Sequence, residues 1–176
     1  DYVLHVASPI SMQLPKNEDE MVKPAVEGTL RVLKAASKAG VKRVVITSSV
    51  AAIMYGTDKQ GIFNEEDWTD PKSKTTNVYA KSKTLAEQAA WDFMKKDTSG
   101  MELSTVLPAM VFGPILEEDF GVSVGAILDM MNGKYTIVPN WDMGVVDVRD
   151  VASLELLAMT KPEAAGKRFV CSAENM

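Results

Sequence analysis

The order of apolar patterns at the start of the sequence constrains the fold more than any other feature. Residues 2 to 7 (YVLHVA) and 41 to 47 (VKRVVIT) are nearly continuous apolar runs, typical of strands buried on both faces of a parallel sheet. Between them, apolar residues recur at helical spacing from Pro24 to Ala39, and Gly40 is placed to end that helix. A strand, a crossover helix and a second strand form a βαβ unit, so the two strands are predicted to be parallel.

The same alternation continues to the end of the chain. The second helix is predicted to place Leu85, Ala89 and Phe93 on one apolar stripe. Residues 55 to 76 show no sustained period and are predicted to form a long loop of the kind that often carries function. The pattern as a whole predicts an α/β fold with a doubly wound parallel sheet. Further helices are predicted at about 78 to 96, 123 to 132 and 150 to 160, and further strands at 102 to 107, 145 to 146 and 167 to 171.

Composition argues against several classes of protein. The 19 Lys+Arg against 24 Asp+Glu give a net charge of -5, whereas a nucleic-acid surface needs a clustered basic excess, so no nucleic-acid partner is predicted. One histidine, His5, and one cysteine, Cys171, leave no internal disulfide and too few ligands for a His/Cys metal site. His5 is predicted to be a hydrogen-bonded core residue and Cys171 a small core residue, each in a strand. No apolar run approaches the roughly 20 residues that cross a bilayer, so no membrane partner is predicted and a cytoplasmic location is favoured.

Candidate functional residues follow the predicted strands, because ligands of open parallel sheets bind at the carboxyl ends of the strands. Ser8 follows the first strand, and Ser48 and Ser49 follow the second. Such hydroxyl residues more often satisfy turn and cap hydrogen bonds, so these serines alone do not indicate a site.

A second pattern makes these serines more informative. Tyr79 and Lys83 are four residues apart at the start of a helix and therefore share one face. An ammonium within about 4 to 6 Å and a helix N-terminus both stabilise a phenolate. The pKa of Tyr79 is therefore predicted to lie below its ordinary value of about 10, where the phenol becomes a useful proton donor or acceptor. A packing tyrosine beside a solvated lysine is the alternative for this pair alone.

Seven ordered stretches, covering nearly the whole chain, resemble the extended short-chain dehydrogenase/reductases. The resemblance is to the branch of dihydroflavonol reductases, cinnamoyl-CoA reductases and microbial aldehyde/ketone reductases, and it implies a Rossmann-like sheet. The Tyr-Lys helix motif and the VVDVRDVA stretch are its most specific parts. The stretches are HVASP at 5 to 9, KPAVEGT at 23 to 29, RVVITSS at 43 to 49, EEDWTD at 65 to 70, YAKSKTLAEQAAW at 79 to 91, LPAMVFGP at 107 to 114, and VVDVRDVA at 145 to 152.

The resemblance implies a catalytic triad of Ser49, Tyr79 and Lys83. Ser49, favoured over Ser48, would bind the substrate carbonyl, Tyr79 would protonate the developing alkoxide, and Lys83 would hold the nicotinamide ribose and lower the pKa of Tyr79. Substrate would contact Ile10, Val50 and Ala51. The cofactor would contact Ala7, Ser8, Thr47, Ser48, Tyr79, Lys83, Pro108, Met110, Val111 and Ser123.

The implied function is reduction of a ketone or aldehyde carbonyl to an alcohol, with NADPH favoured over NADH and a small-molecule carbonyl compound as the partner. Three alternatives stay open: a nucleotide-sugar epimerase or dehydratase of the same superfamily, a dinucleotide-binding regulatory module, and a non-functional fragment. The oligomeric state is left open.

The chain departs from the family pattern at one point, since no G-x-x-G-x-x-G occurs in its 176 residues. In the family this phosphate-binding loop belongs to the first βα turn. Residues 1 to 176 are therefore interpreted as a single NAD(P)-binding domain that is incomplete at the N-terminus, with about 115 to 143 contributing to a substrate-binding lobe.

The 176-residue chain by itself is expected to bind NADPH weakly, because it lacks the loop that cradles the pyrophosphate. Isothermal titration calorimetry would check this expectation. Saturable binding at micromolar NADPH would contradict it.

Overall fold

A computed structural model of the chain describes residues 1–10, 15–116, 121–134, 137 and 144–175. Four parallel strands form the main sheet in the order β1-β2-β3-β6, while a second sheet has the order β4-β5-β7. In chain order, the elements are β1 (Tyr2–His5), α1 (Asp19–Lys38), β2 (Arg43–Thr47), α2 (Val78–Met94), β3 (Glu102–Pro108), β4 (Met110–Phe112), α3 (Gly121–Met131), β5 (Gly144–Asp147), α4 (Val148–Thr160), β6 (Arg168–Cys171) and β7 (Glu174–Asn175).

Helices cover both faces of the main sheet. Val44 and Ile46 of β2 pack on one face against buried residues of α1 and α2. Val45, between them in sequence, points to the opposite face and packs against Val151 and Ala158 of α4. Successive side chains of β2 therefore pack into cores on opposite faces of the sheet. Because both faces are buried, the sequence of the strand is a continuous apolar run. The predicted doubly wound, Rossmann-like sheet is confirmed.

The first helix begins earlier than predicted, at Asp19 and not at Pro24. Pro24 lies inside α1 and removes one main-chain donor. The helix nevertheless extends back to include Met21, which is buried and continues the inward stripe. Burial of that stripe outweighs the missing hydrogen bond. The predicted end is confirmed, since Gly40 follows the helix with a φ of 68°.

The buried face of the second helix differs from the predicted stripe. Leu85, Ala89 and Phe93 are only partly buried. Small and polar side chains fill the deepest positions because α2 packs closely against α1. The buried residues of α2 are Ala80, Ser82, Lys83, Thr84, Ala86, Glu87 and Ala90.

Four short elements in the described ranges were not predicted: the strands β4 and β7 and the 3₁₀ turns at Val50–Ala52 and Pro162–Ala164. β4 and β5 pair in parallel, and β7 pairs antiparallel to β5. Parts of the predicted substrate lobe at 115 to 143, namely 117–120, 135–136 and 138–143, lie outside the described residues. Within the described ranges, no helix is both long and apolar enough to cross a bilayer.

A buried ion pair joins α2 to β6. Arg168 Nε donates to Glu87 Oε1 at 2.8 Å, and the Glu87 side chain is 1% exposed. The other side of Arg168 lies over the Trp68 ring, with its guanidinium carbon 3.7 Å from the ring centroid. Arg168 Nη1 also donates to the carbonyls of Glu65 and Asp67 at 2.6 and 2.8 Å. The pair therefore fastens the long loop to the sheet.

The Glu87→Ala substitution is expected to lower the free energy of unfolding by about 3 to 5 kcal/mol, because it leaves the Arg168 charge buried without its carboxylate. Urea denaturation followed by circular dichroism measures this loss. The matched control is Glu102→Ala, which removes the half-exposed carboxylate of the Arg43–Glu102 pair. Since Arg43 keeps main-chain carbonyl partners in α4 and just beyond it, the control is expected to lose about 1 kcal/mol or less. Equal losses would contradict the prediction.

Candidate active site

A cleft of about 300 Å³ opens beside the carboxyl ends of the main-sheet strands. Its walls come from the turn after β2, the first turn of α2, the start of β4 and one side of α3. The lining side chains described are uncharged and mostly apolar, so the cleft suits an uncharged organic molecule. The lining residues are Ile10, Ser49, Val50, Ala51, Met54, Tyr55, Tyr79, Ala109, Met110, Val122, Ser123 and Ala126.

Ser49 presents a hydroxyl to this cleft at the point where β2 ends. Its backbone is extended, with φ −167° and ψ 153°, and it caps the 3₁₀ turn that follows. Ser49 Oγ accepts a hydrogen bond from the Ala51 N–H at 3.2 Å. Because the oxygen accepts this bond, the Ser49 O–H is left to donate, and the Ala51 N–H increases its polarity.

Tyr79 lies in the first turn of α2, which Asn77 caps by accepting from the Ala80 N–H at 2.8 Å. Burial raises the pKa of the Tyr79 phenol, while a hydrogen bond with Ser49 lowers it and the nearby Tyr55 raises it. The predicted lowering of the Tyr79 pKa is therefore wrong: desolvation in the cleft outweighs the effects that stabilise the phenolate. The phenol is protonated at neutral pH and is suited to donate a proton.

Lys83 is buried one turn further along α2, with 8% of the residue exposed. Its Nζ donates to the main-chain carbonyl of Thr47 at 3.2 Å. Burial lowers the pKa of the ammonium to about 8, and the charge of Glu87 opposes that shift. Thr47 O is its one hydrogen-bond acceptor in the part of the chain that the structure describes, so two N–H groups of a buried ammonium are available to a ligand.

Lys83 lines a second, smaller cavity. His5 Nε2 and Thr29 Oγ1 are 3.4 Å apart beside it. Burial lowers the pKa of His5, and the charge of Lys83 lowers it further, so the imidazole is neutral at pH 7. His5 is hydrogen-bonded as predicted, although it is half-buried and not a core residue. Cys171 is buried, as predicted.

The predicted site residues separate into three groups. Seven line the cleft, five line the smaller cavity, and two line neither. Pro108 is buried at the end of β3 beside Cys171, and Val111 of β4 packs against the core on the α4 side. The cleft group is Ile10, Ser49, Val50, Ala51, Tyr79, Met110 and Ser123, and the cavity group is Ala7, Ser8, Thr47, Ser48 and Lys83.

Sequence reasoning missed part of the lining and the residues that support it. Met54 and Tyr55 follow the Ser49 turn directly, and that proximity was a usable signal. Glu87 follows Lys83 by one helical turn, so the sequence could also have predicted that the two share a helical face. Arg168 is 81 residues from Glu87 and no local pattern connects them. The other lining residues missed are Ala109, Val122 and Ala126.

Plant reductases are among the known proteins with similar sequences. A cinnamoyl-CoA reductase of Medicago truncatula is 39% identical over 171 residues, which cover 94% of this chain and 52% of the relative. An anthocyanidin reductase of Vitis vinifera is 34% identical over 191 residues, covering 99% of this chain and 56% of the relative. The chain thus spans about half the length of these relatives, and the predicted resemblance is confirmed.

Solved structures show the same similarity. Yeast methylglyoxal/isovaleraldehyde reductase Gre2 complexed with NADPH has a TM-score of 0.85 and 34% identity, covering 99% of this chain and 56% of that one. Vestitone reductase from alfalfa has a TM-score of 0.80 and 30% identity, covering 99% and 55%. The profile of one family matches residues 1–174, almost the whole chain. The chain belongs to the 3-beta hydroxysteroid dehydrogenase/isomerase family.

Proposed function

We propose that the protein containing this chain is an NADPH-dependent reductase that converts a ketone or aldehyde carbonyl to an alcohol. The observation that carries the proposal is that the Ser49 and Tyr79 side chains share one apolar cleft, with the buried Lys83 ammonium one helical turn away. The similar proteins named above are reductases, which favours carbonyl reduction over nucleotide-sugar epimerisation.

The residues at the strand ends support binding of the nicotinamide nucleoside there. Lys83 has two N–H groups to offer to the ribose hydroxyls, and small side chains at Ala7, Ser8 and Ser48 line the adjoining cavity. NADPH is favoured because yeast Gre2 is complexed with it. When bound, the reduced nicotinamide supplies the hydride.

The side chains of this chain would supply hydrogen bonding and the proton. The Ser49 O–H donates to the substrate carbonyl oxygen and stabilises the negative charge that develops there. The Tyr79 O–H bond then breaks, and its proton moves to the alkoxide oxygen to give the alcohol. The phenolate left on Tyr79 is stabilised by Ser49 and by the positive charge of Lys83.

The cleft favours an uncharged carbonyl compound of moderate size, because its described lining has hydroxyls but no charged side chain. We assign the described residues to a single NAD(P)-binding domain, with about 115 to 143 contributing to a substrate lobe. Val122, Ser123 and Ala126 of α3 support that assignment, since they form one wall of the cleft. We expect a cytoplasmic reaction, since the single Cys171 gives no sign of an oxidising compartment.

The Tyr79→Phe substitution is expected to lower kcat by about 10²- to 10⁴-fold, because it removes the proton donor and leaves the ring in place. The assay follows loss of reduced-nicotinamide absorbance with a panel of ketones and aldehydes, using the complete protein that contains this chain. The matched control is Tyr2→Phe, an exposed tyrosine in β1. Full turnover by Tyr79→Phe would refute the mechanism, and nucleotide-sugar turnover without net cofactor oxidation would favour an epimerase.

The rate of reduction is expected to fall as pH rises through about 8. The pKa of Lys83 is about 8, so below that pH the ammonium is charged and above it the charge is lost. The pH dependence of kcat/KM for NADPH measures this, because that ratio reports groups of the free protein. Lys81→Met is the matched control, since Lys81 pairs with Glu18 on the helix surface, and it should leave the basic limb unchanged. A basic limb near pH 10 would contradict the prediction.

A further inference from the structure

We propose that Glu87 is a positioning residue of this reaction, which fixes the Ser48–Ser49 strand end and places a negative charge one helical turn from the Lys83 ammonium. The inference rests on the proposed function and adds to it a residue outside the implied triad. Glu87 lines the smaller cavity and not the main cleft, and both of its carboxylate oxygens accept from protein donors, so it would act on the reacting atoms through its neighbours.

The Glu87 carboxylate is fully hydrogen-bonded in the interior. Oε2 accepts from Ser48 Oγ at 2.5 Å, and Oε1 accepts from Thr105 Oγ1 at 2.8 Å. Arg168 Nε and Trp91 Nε1 donate to Oε1 at 2.8 and 3.3 Å. Donors from β3, α2, β6 and the end of β2 therefore converge on one side chain, so its position is fixed.

Glu87 reaches Ser49 through Ser48. The Ser48 hydroxyl bonds to Glu87, and the Ser48 N–H donates to the Val106 carbonyl at 2.7 Å. One of these hydrogen bonds fixes the side chain of Ser48 and the other fixes its backbone. Successive residues of an extended chain point to opposite sides, so anchoring Ser48 toward Glu87 directs Ser49 into the cleft, where it caps the next turn.

Glu87 reaches Lys83 through its charge. The two residues are four apart on α2 and share one face. Glu87 is the carboxylate whose charge raises the pKa of Lys83 against the effect of burial.

Other titratable and charged groups surround Lys83. On α2, Tyr79 is protonated at neutral pH because burial raises its pKa. From β1, His5 is neutral. On the α4 side, Glu155 accepts from Thr47 Oγ1 at 2.5 Å, and from β6 the guanidinium of Arg168 lies beyond Glu87. The negative charge of Glu87 therefore has the clearest effect on the protonation of Lys83.

Arg168 extends the same support to the cleft wall. It holds the main chain at Glu65 and Asp67, and Thr69 in the same loop is 1% exposed. Thr69 Oγ1 donates to the Ala51 carbonyl at 2.8 Å and accepts from the Tyr55 N–H at 2.9 Å. The loop held by the ion pair thus supports the turn that carries Ala51 and Tyr55.

The test compares Glu87→Gln, Ser48→Ala and the control Glu102→Gln in the complete protein. Glu87→Gln keeps the shape and removes the charge, so the basic limb of the pH profile should move down by about 1 pH unit. Ser48→Ala keeps the charge but frees the strand end, so kcat should fall about tenfold, with KM for the carbonyl substrate and the basic limb unchanged. Glu102→Gln should change none of these quantities, because Glu102 pairs with Arg43 at the opposite end of the strands.

An unmoved basic limb in folded Glu87→Gln would overturn the charge role, and wild-type kcat in Ser48→Ala would overturn the positioning role. If Glu87→Gln does not fold, the Glu87→Gln/Arg168→Gln double variant removes both charges and should show a smaller downward shift, because loss of the more distant Arg168 charge offsets only part of the loss of the Glu87 charge.

Failure of the proposed function would be distinguishable from failure of this inference. If the wild-type protein reduces no carbonyl compound, the proposed function fails. An NMR titration of the Lys83 ammonium in wild type and Glu87→Gln then still reports whether Glu87 holds the charge.

Discussion

The buried Glu87–Arg168 ion pair is the interaction on which the sheet and the candidate site both depend. A buried pair repays its desolvation cost only when every donor and acceptor is satisfied. Here the carboxylate accepts from Ser48, Thr105 and Arg168, and the guanidinium also stacks on Trp68. The pair holds together elements that are far apart in sequence. Loss of the ion pair is therefore expected both to destabilise the fold and to displace the end of β2, where Ser49 lies.

Burial sets the protonation states of the two central groups in this site. It raises the pKa of Tyr79 and lowers that of Lys83, because in each case the neutral form is the easier one to bury. At neutral pH the phenol still holds its proton, and Lys83, with a pKa of about 8, is still charged. A proton donor beside a cation suits formation of an alcohol from a carbonyl. An activated phenolate, which the sequence pattern alone suggested, would suit the reverse direction.

Sequence patterns predicted correctly those features that depend on residues close together in the chain. The βαβ alternation predicted the parallel sheet, and the four-residue spacing of Tyr79 and Lys83 placed them on one helical face. The predicted start of α1 was wrong because burial of Met21 extends the helix past Pro24, although proline usually lies in the first turn. The predicted buried face of α2 was wrong because close packing against α1 favours small residues at the contact. Arg168 could not be predicted as a partner of Glu87, since only the completed sheet brings the two together.

The regular and irregular parts of the chain carry different parts of the chemistry. Parallel strands bring Ser8 and Ser48 to the same edge of the sheet, so the topology predicts a ligand site there. The walls of the cleft come instead from the turn at Met54 and Tyr55 and from one side of α3. The turn at Met54 and Tyr55 obeys no strand or helix period, and the helical period of α3 does not by itself place that helix against the cleft. The proposed reaction therefore depends largely on residues that strand and helix patterns place, whereas the proposed choice of carbonyl compound depends on cleft walls whose positions tertiary contacts determine.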